Sequence, residues 1–210
     1  MSQHNDDKAK LALIGVCRFR FGTDGTGITT LIGFHGCPLS CRYCLNPQSI
    51  SPTAELLYIS PMDLYKELAK DELYFLGTGG GVTFGGGEPL IHIDDIQRLI
   101  VLGADRWKIT IETSLNVPLD NLIKVSLIAD GFIVDVKDLD PQIYNKYTGT
   151  NLDNVVRNLK WLAENGHHDK VLIRLPLIPC FNTEEDRENS EIALRQMGFH
   201  KFNKFTYIVR

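Results

Sequence analysis

Three cysteines within eight residues constrain this chain more than any other feature. They sit in the stretch Gly36-Cys37-Pro38-Leu39-Ser40-Cys41-Arg42-Tyr43-Cys44-Leu45-Asn46-Pro47. Gaps of three and then two residues, in a loop punctuated by Gly36, Pro38 and Pro47, let one turn of backbone present three thiolates to a single inorganic core. The other two cysteines, Cys17 and Cys180, are far away in sequence. A 4Fe-4S cluster ordinarily takes four thiolates, so three leave one iron for a ligand that is not protein. A fold that carries such a loop must hold it in place and bring further groups to face it.

Two plainer readings stand beside the cluster. Half of a zinc site would need a fourth Cys, or a His, at the spacing C-x2-C or H-x3-5-H. His167 and His168 are adjacent instead, and they read as loop histidines. A disulfide framework is disfavoured by the odd count of five cysteines. Met1 to Lys8 are polar and acidic with no apolar core, which is not the pattern of a signal peptide, so the expected compartment is the cytoplasm. No run reaches the roughly 20 apolar residues of a membrane span. A net charge of -4 without a block of Lys and Arg gives no support to a nucleic-acid partner. With 210 residues, 43% of them hydrophobic, the expectation is a short disordered tail over 1–10 and one domain over 11–210.

Along that domain apolar strands alternate with helical periods. Leu11 to Val16 reads as a lead-in strand, and Gly22 to Gly27 as a turn leading into a first barrel strand over 28–34. Ser60-Pro61 caps a helix over 62–70. Gly77 to Pro89 holds seven glycines around a very short second strand; glycine tolerates close backbone approach and positive φ. This is no Walker loop, since no Gly-Lys-Ser/Thr follows. Ile93, Ile96, Leu99 and Ile100 mark a second helix that stops at Gly103, and Trp107 to Ser114 a third strand. A third helix spans 119–128, and Phe132 to Lys137 forms a fourth strand whose alternation puts Asp135 and Lys137 on one face. A fourth helix runs from an Asn151 cap to Gly166. Val171 to Pro179 is near-continuously apolar, as a buried parallel strand is, except for Arg174, which needs an anionic partner there. Asn182-Thr183-Glu184-Glu185 has capping-box character before a fifth helix with the stripe Ile192, Leu194 and Met197, and Lys204 to Val209 is a sixth strand. The pattern predicts an α/β fold with a right-handed parallel sheet, six units against the eight and about 250 residues of a closed barrel.

The C-x3-C-x2-C loop, with aromatic Tyr43 before its last cysteine, resembles the radical S-adenosylmethionine enzymes. Tyr43 together with Asn46-Pro47 is most similar to the activating enzymes of glycyl radical enzymes, the pyruvate formate-lyase and anaerobic ribonucleotide reductase activases. The resemblance covers the chain from about residue 12 onward. It implies a partial (β/α)6 barrel with a 4Fe-4S cluster on Cys37, Cys41 and Cys44, whose open iron is chelated by S-adenosylmethionine. It also implies cofactor contacts at Tyr43, Cys44 and Leu45, and at Gly86, Gly87 and Glu88, the counterpart of the family's GGE motif. Glu112 and Thr113 match the acidic residue and Thr that end the third strand. Asp135, Val136 and Lys137 match an Asp-x-Lys used on the ribose and methionine parts, and Arg174 an arginine that faces the cofactor. Taken without the resemblance, Glu112 reads equally as a solvated strand-end carboxylate, and Asp135 with Lys137 as a surface pair.

The activity so implied is reductive cleavage of S-adenosylmethionine to a 5'-deoxyadenosyl radical. That radical takes hydrogen from a backbone glycine of a partner glycyl radical enzyme, with a flavodoxin- or ferredoxin-type electron donor. No nucleic acid and no membrane enter. The alternative within enzymes is a small-molecule radical enzyme similar to 7-carboxy-7-deazaguanine synthase, whose strand-three Glu-Thr resembles Glu112-Thr113 although Leu45-Asn46 departs from its usual Asp-Thr. A non-catalytic zinc or iron-sulfur module is the third. The family's tail after strand six, with a histidine often near the cofactor, has no match here.

Overall fold

A computed structural model describes residues 10–208. Most of the expected tail, residues 1–9, lies outside the described residues, as does Val209 of the expected sixth strand. One sheet of eight strands organises the molecule, in the order β3-β1-β2-β4-β5-β6-β7-β8. Six strands run parallel: β2 (Ile28–Phe34), β4 (Gly81–Gly86), β5 (Lys108–Thr113), β6 (Gly131–Asp135), β7 (Val171–Leu177) and β8 (Phe202–Thr206). β1 (Leu11–Phe21) pairs antiparallel with β2, and the short β3 (Leu57–Ile59) pairs antiparallel with β1. β3 and β8 end the sheet without meeting, which gives the open, partial (β/α)6 barrel. The lead-in strand runs past Val16 to Phe21 because β2 offers it a partner along that length, with two register shifts on the way.

Period-two alternation divides the parallel strands between two environments. Ile32, Phe34, Phe84, Ile111, Val134 and Ile173 point to the helix layer and are essentially solvent-free. Each such side chain contributes roughly 1.5–3 kcal/mol of burial. Register pairs on the opposite face, Leu31 with Thr83, Glu112 with Ile133 and Asp135 with Arg174, place polar groups inside the barrel. The mixed polarity of that inner face is why β5 and β6 carry charges in the middle of apolar sequence.

The helix layer holds α1 (Pro61–Ala69), α2 (Glu72–Thr78), α3 (Ile93–Val101), α4 (Leu119–Ser126), α5 (Pro141–Thr148), α6 (Asp153–Glu164) and α7 (Glu184–Gln196). Ser60 caps α1 by accepting from the Asp63 N–H at 3.1 Å. Two helices had no apolar period to announce them. In α2 only Phe75 is buried while Leu73, Tyr74 and Leu76 are exposed, so burial follows neither period. In α5 the buried residues are Tyr144, Tyr147 and Thr148, yet its ends are well marked. Asp140 accepts from the Gln142 and Ile143 N–H groups, Pro141 is the first helical residue, and Gly149 closes the helix at φ 77°.

Two local expectations differ. The cap of α6 is Leu152, not Asn151, whose backbone carbonyl is taken by Asn116 Nδ2 at 2.8 Å. Ile192 is 54% exposed, so the buried face of α7 is Ser190 and Leu194, with Met197 packed beside them. The capping box of α7 does form, between Thr183 and Asp186.

The loop after β5 is tied down from α6. Asn158, fully buried, donates to the carbonyls of Leu115 at 2.8 Å and Val117 at 2.9 Å, and Leu115 holds φ 59° between them. Removing that amide leaves two buried acceptors without donors. Asn158→Ala should therefore lower unfolding free energy by about 2–4 kcal/mol in a denaturant titration. A loss below roughly 0.5 kcal/mol would mean that water replaces the amide at no cost.

Candidate functional site

The loops after β2, β4, β5 and β6 leave the same end of the sheet, and the cysteine loop lies across them. Its first residue, Gly36, has φ 103°, donates to the Ser49 carbonyl at 2.6 Å and accepts from the Glu88 N–H at 2.8 Å. Gly87 donates to the Phe34 carbonyl at 2.9 Å, and Asn46 Nδ2 donates to the Gly86 carbonyl at 3.1 Å. From the other side Ser40 and Arg42 donate to the carbonyls of Thr148 and Tyr147, at the C-terminal end of α5. The loop is thus sewn to β4 at one margin and to α5 at the other, with Leu39 buried beneath it.

The two glycines of the Gly86-Gly87-Glu88 sequence are required by this packing. A Cβ on Gly87 would lie 2.1 Å from the Gly36 carbonyl oxygen, and one on Gly86, where φ is 91°, would lie 2.5 Å from the Gly33 Cα. Only a backbone without side chains lets the β4 end and the cysteine loop come this close.

Cys37, Cys41 and Cys44 share one cavity with Leu45, Gly86, Gly87, Glu88, Glu112, Thr113, Asp135 and Lys137. It holds about 120 Å³ of interior space and opens to solvent on one side. Burial pushes the Cys37 thiol up to about 12 and the Cys41 thiol to about 11, so both need nearby positive charge to become ligands. Among the described residues no group of three His, Cys, Asp or Glu side chains is disposed around a single metal ion. Cys17 and Cys180 are exposed and lie outside the cavity lining.

Glu88 is 1% exposed, and its carboxylate accepts from the Leu90 N–H, the Thr113 hydroxyl, the Ser114 N–H and the Ser114 hydroxyl, at 2.6–3.2 Å. Burial raises its pKa, and the four donors draw it back down. It joins the ends of β4 and β5, and Thr113 is engaged in that task. Lys137 is buried and donates to Asp135 Oδ2 and to the Tyr207 hydroxyl at 2.9 Å. Burial is the largest influence and works against its charge, but Asp135, Tyr207 and Cys41 together outweigh it and hold the pKa well above the ordinary lysine value. Asp135 Oδ1 is buried with no donor among the described residues.

Three of the residues expected at the cofactor lie outside the cavity lining. Tyr43 turns away to pack edge-on against Phe181 and Tyr147, at 5.5 and 6.2 Å between centroids. Val136 alternates into the apolar core. Arg174 points to Glu112, with which it forms an ion pair, and donates to the Thr23 carbonyl at 2.9 Å, with Asp24 4.0 Å away. Its anionic partner is therefore within the protein. Asp24 is itself buried and paired with Arg20, so one side chain of the otherwise largely exposed Gly22 to Gly27 turn is buried near Arg174. Conversely Asn46, Ser114, Tyr147 and Tyr207 line the cavity although no reading of the sequence singled them out as contacts. Tyr207 follows β8 directly.

Comparison with known proteins follows the same lines. Residues 31–190 match the Radical SAM superfamily. The chain is 33% identical over 204 residues to the pyruvate formate-lyase 2-activating enzyme of Escherichia coli (strain K12), covering 81% of this chain and 68% of that protein. It is 28% identical to the trans-4-hydroxy-L-proline dehydratase activating enzyme of Clostridioides difficile, over 88% of this chain and 83% of that one. The solved structure of Streptococcus suis SuiB bound to S-adenosylmethionine shares the fold, with a TM-score of 0.60 at 17% identity over 85% of this chain and 40% of SuiB.

The buried carboxylate makes a sharp test of how the site is held. Glu88→Gln turns a donor toward Thr113 and Ser114 and should cost about 1–3 kcal/mol of stability in chemical denaturation. Gly87→Ala must displace the Gly36 backbone and should cost more, melting several degrees below Glu88→Gln in a thermal scan. Equal stability of Gly87→Ala and the parent chain would refute the interlock.

Proposed function

The chain belongs to the Radical SAM superfamily, and we propose that within it this protein is an activating enzyme for a glycyl radical enzyme. The observation that carries the reading is the convergence, on one cavity at the C-terminal ends of the parallel strands, of three cysteines, the Gly86-Gly87-Glu88 backbone and the Asp135-Lys137 pair. Relatives named as activating enzymes, one of them 33% identical, direct that chemistry toward a protein substrate.

In this reading Cys37, Cys41 and Cys44 hold a 4Fe-4S cluster, and the cavity beside it takes S-adenosylmethionine. The residues fit such a guest: an unpartnered Asp135 oxygen suits ribose hydroxyls, and the Lys137 ammonium has a proton to spare for a carboxylate. Held there, a reduced cluster would supply the one electron that breaks the C–S bond of S-adenosylmethionine to give methionine and a 5'-deoxyadenosyl radical. The chain's own work is to bind, orient and exclude water. Gly86 and Gly87 let the β4 end lie directly against the cysteine loop, Glu88 fixes that end against β5, and Lys137 anchors the methionine part. Tyr43, Val136 and Arg174 act indirectly, Tyr43 and Val136 through packing and Arg174 by orienting Glu112. The open side of the sheet, between β3 and β8, leaves room for a loop of a larger partner to enter. A flavodoxin or ferredoxin is the expected donor. No described helix is long and apolar enough to cross a membrane, and free thiols suit a reducing cytoplasm.

Anaerobic reconstitution tests the assignment. Cys37→Ala, Cys41→Ala and Cys44→Ala should each lose cluster iron and sulfide, whereas Cys17→Ala and Cys180→Ala should keep both. Lys137→Ala should retain the cluster and bind S-adenosylmethionine roughly 10- to 100-fold more weakly. With a cognate glycyl radical enzyme deuterated at its glycine α-carbon, the label should appear in 5'-deoxyadenosine. Label that stays in place while a small metabolite stimulates turnover would replace this reading with a small-molecule enzyme.

A further inference from the structure

The polar inventory of the cavity is unbalanced in a way that the residues assigned so far do not resolve. Tyr147 is 1% exposed, and its hydroxyl has no hydrogen-bond partner among the described residues. Tyr207 is 8% exposed, and its oxygen accepts from Lys137, so that the neighbouring Tyr147 hydroxyl is the one partner within reach of its phenol. The Lys137 ammonium uses two of its three protons, on Asp135 and Tyr207. Three donor groups thus belong to residues that line one cavity, whose lining side chains include one buried unpartnered acceptor among the described residues, Asp135 Oδ1.

Both tyrosines are fixed by backbone. The Tyr147 carbonyl accepts from the Arg42 N–H in the cysteine loop at 3.1 Å, and the Tyr207 N–H donates to the Leu177 carbonyl at 2.9 Å. Their rings stand 6.3 Å apart, with Phe181 packed edge-on against Tyr147 at 5.1 Å. Burial drives both phenols upward, so each remains a donor across the working range of pH. Phenylalanine would satisfy this packing as well. A hydroxyl buried without a partner is unfavourable in the free protein, and it finds its role once an anion enters.

We propose that Tyr147 and Tyr207 bind the cofactor, their hydroxyls joining the spare proton of Lys137 on the methionyl carboxylate of S-adenosylmethionine. The inference rests on the S-adenosylmethionine reading above and deepens it. Tyr207 supplies a donor directly after β8. Tyr147 brings the second donor from α5, so the helix that braces the cysteine loop also reaches the ligand.

Two nucleosides separate this proposal from the reading on which it rests. S-adenosylmethionine carries the carboxylate, and 5'-methylthioadenosine lacks the amino-acid part. Equilibrium dialysis on the reconstituted chain should show Tyr147→Phe and Tyr207→Phe each weakening S-adenosylmethionine about tenfold while 5'-methylthioadenosine changes by less than about twofold. The melting temperature of Tyr147→Phe should equal or exceed that of the parent, because no existing bond is lost. If the parent chain binds no S-adenosylmethionine, the enzyme reading itself fails. If the parent binds and both variants bind equally well, the tyrosines are packing residues and the inference is overturned. Parallel losses for both nucleosides overturn it too, since the carboxylate would then not be the group recognised.

Discussion

The site depends on one close contact, where the backbone of Gly87 passes against the carbonyl of Gly36 and Glu88 donates its N–H to that same oxygen. Everything that faces the cysteines is positioned from there. The contact fixes the cysteine loop to the end of β4, and the Glu88 side chain then ties β4 to β5 through Thr113 and Ser114. A buried carboxylate costs several kcal/mol in lost hydration. Four donors offset part of that cost, and the Glu88 pKa nonetheless stays above the ordinary carboxylate value. What the arrangement supplies is less net stability than a defined geometry, because losing any one donor exposes the full penalty.

A second constraint acts from below. Arg174 lies in a strand that is otherwise apolar, and the barrel interior answers it with Glu112, the Thr23 carbonyl and the nearby Asp24, itself paired with Arg20. Of the turn from Gly22 to Gly27, the Asp24 side chain alone is buried. Glu112 bridges the two layers, since it pairs with Arg174 while lining the cavity above. Charge at the floor of the cavity is balanced within the protein, and the unbalanced donors are left at Lys137 and the two tyrosines.

Much of this was legible in the sequence because period and punctuation agreed. Strands β2, β5, β6 and β7 are continuous apolar or alternating runs, and α1, α3, α4 and α6 carry a stripe. The cysteine spacing, the Gly-Gly-Glu sequence and Asp135 with Lys137 name the cavity's main walls. What escaped has a common physical cause, in that its signal was tertiary. α2 is exposed on nearly all sides, α5 is specified by its caps instead of a stripe, and β3 is an edge of three residues. Tyr147 and Tyr207 read as ordinary aromatics until α5 and the end of β8 bring them to one cavity. The Asp140-Pro141 start and Gly149 stop of α5 were the one local signal that could have found the first of them. Arg174 shows the reverse case: its need for an anion was readable, but the identity of that anion depended on which residues share the inner face.

The central claim is that three thiolates hold a cluster whose remaining iron takes S-adenosylmethionine in this cavity. Mössbauer spectroscopy of the anaerobically reconstituted chain, with isotopically enriched iron, addresses it most directly. The account predicts four irons per chain, with one of the four moving to a distinct environment when S-adenosylmethionine is added. Four irons that remain equivalent after that addition, or a chain that takes up zinc and no iron, would contradict it.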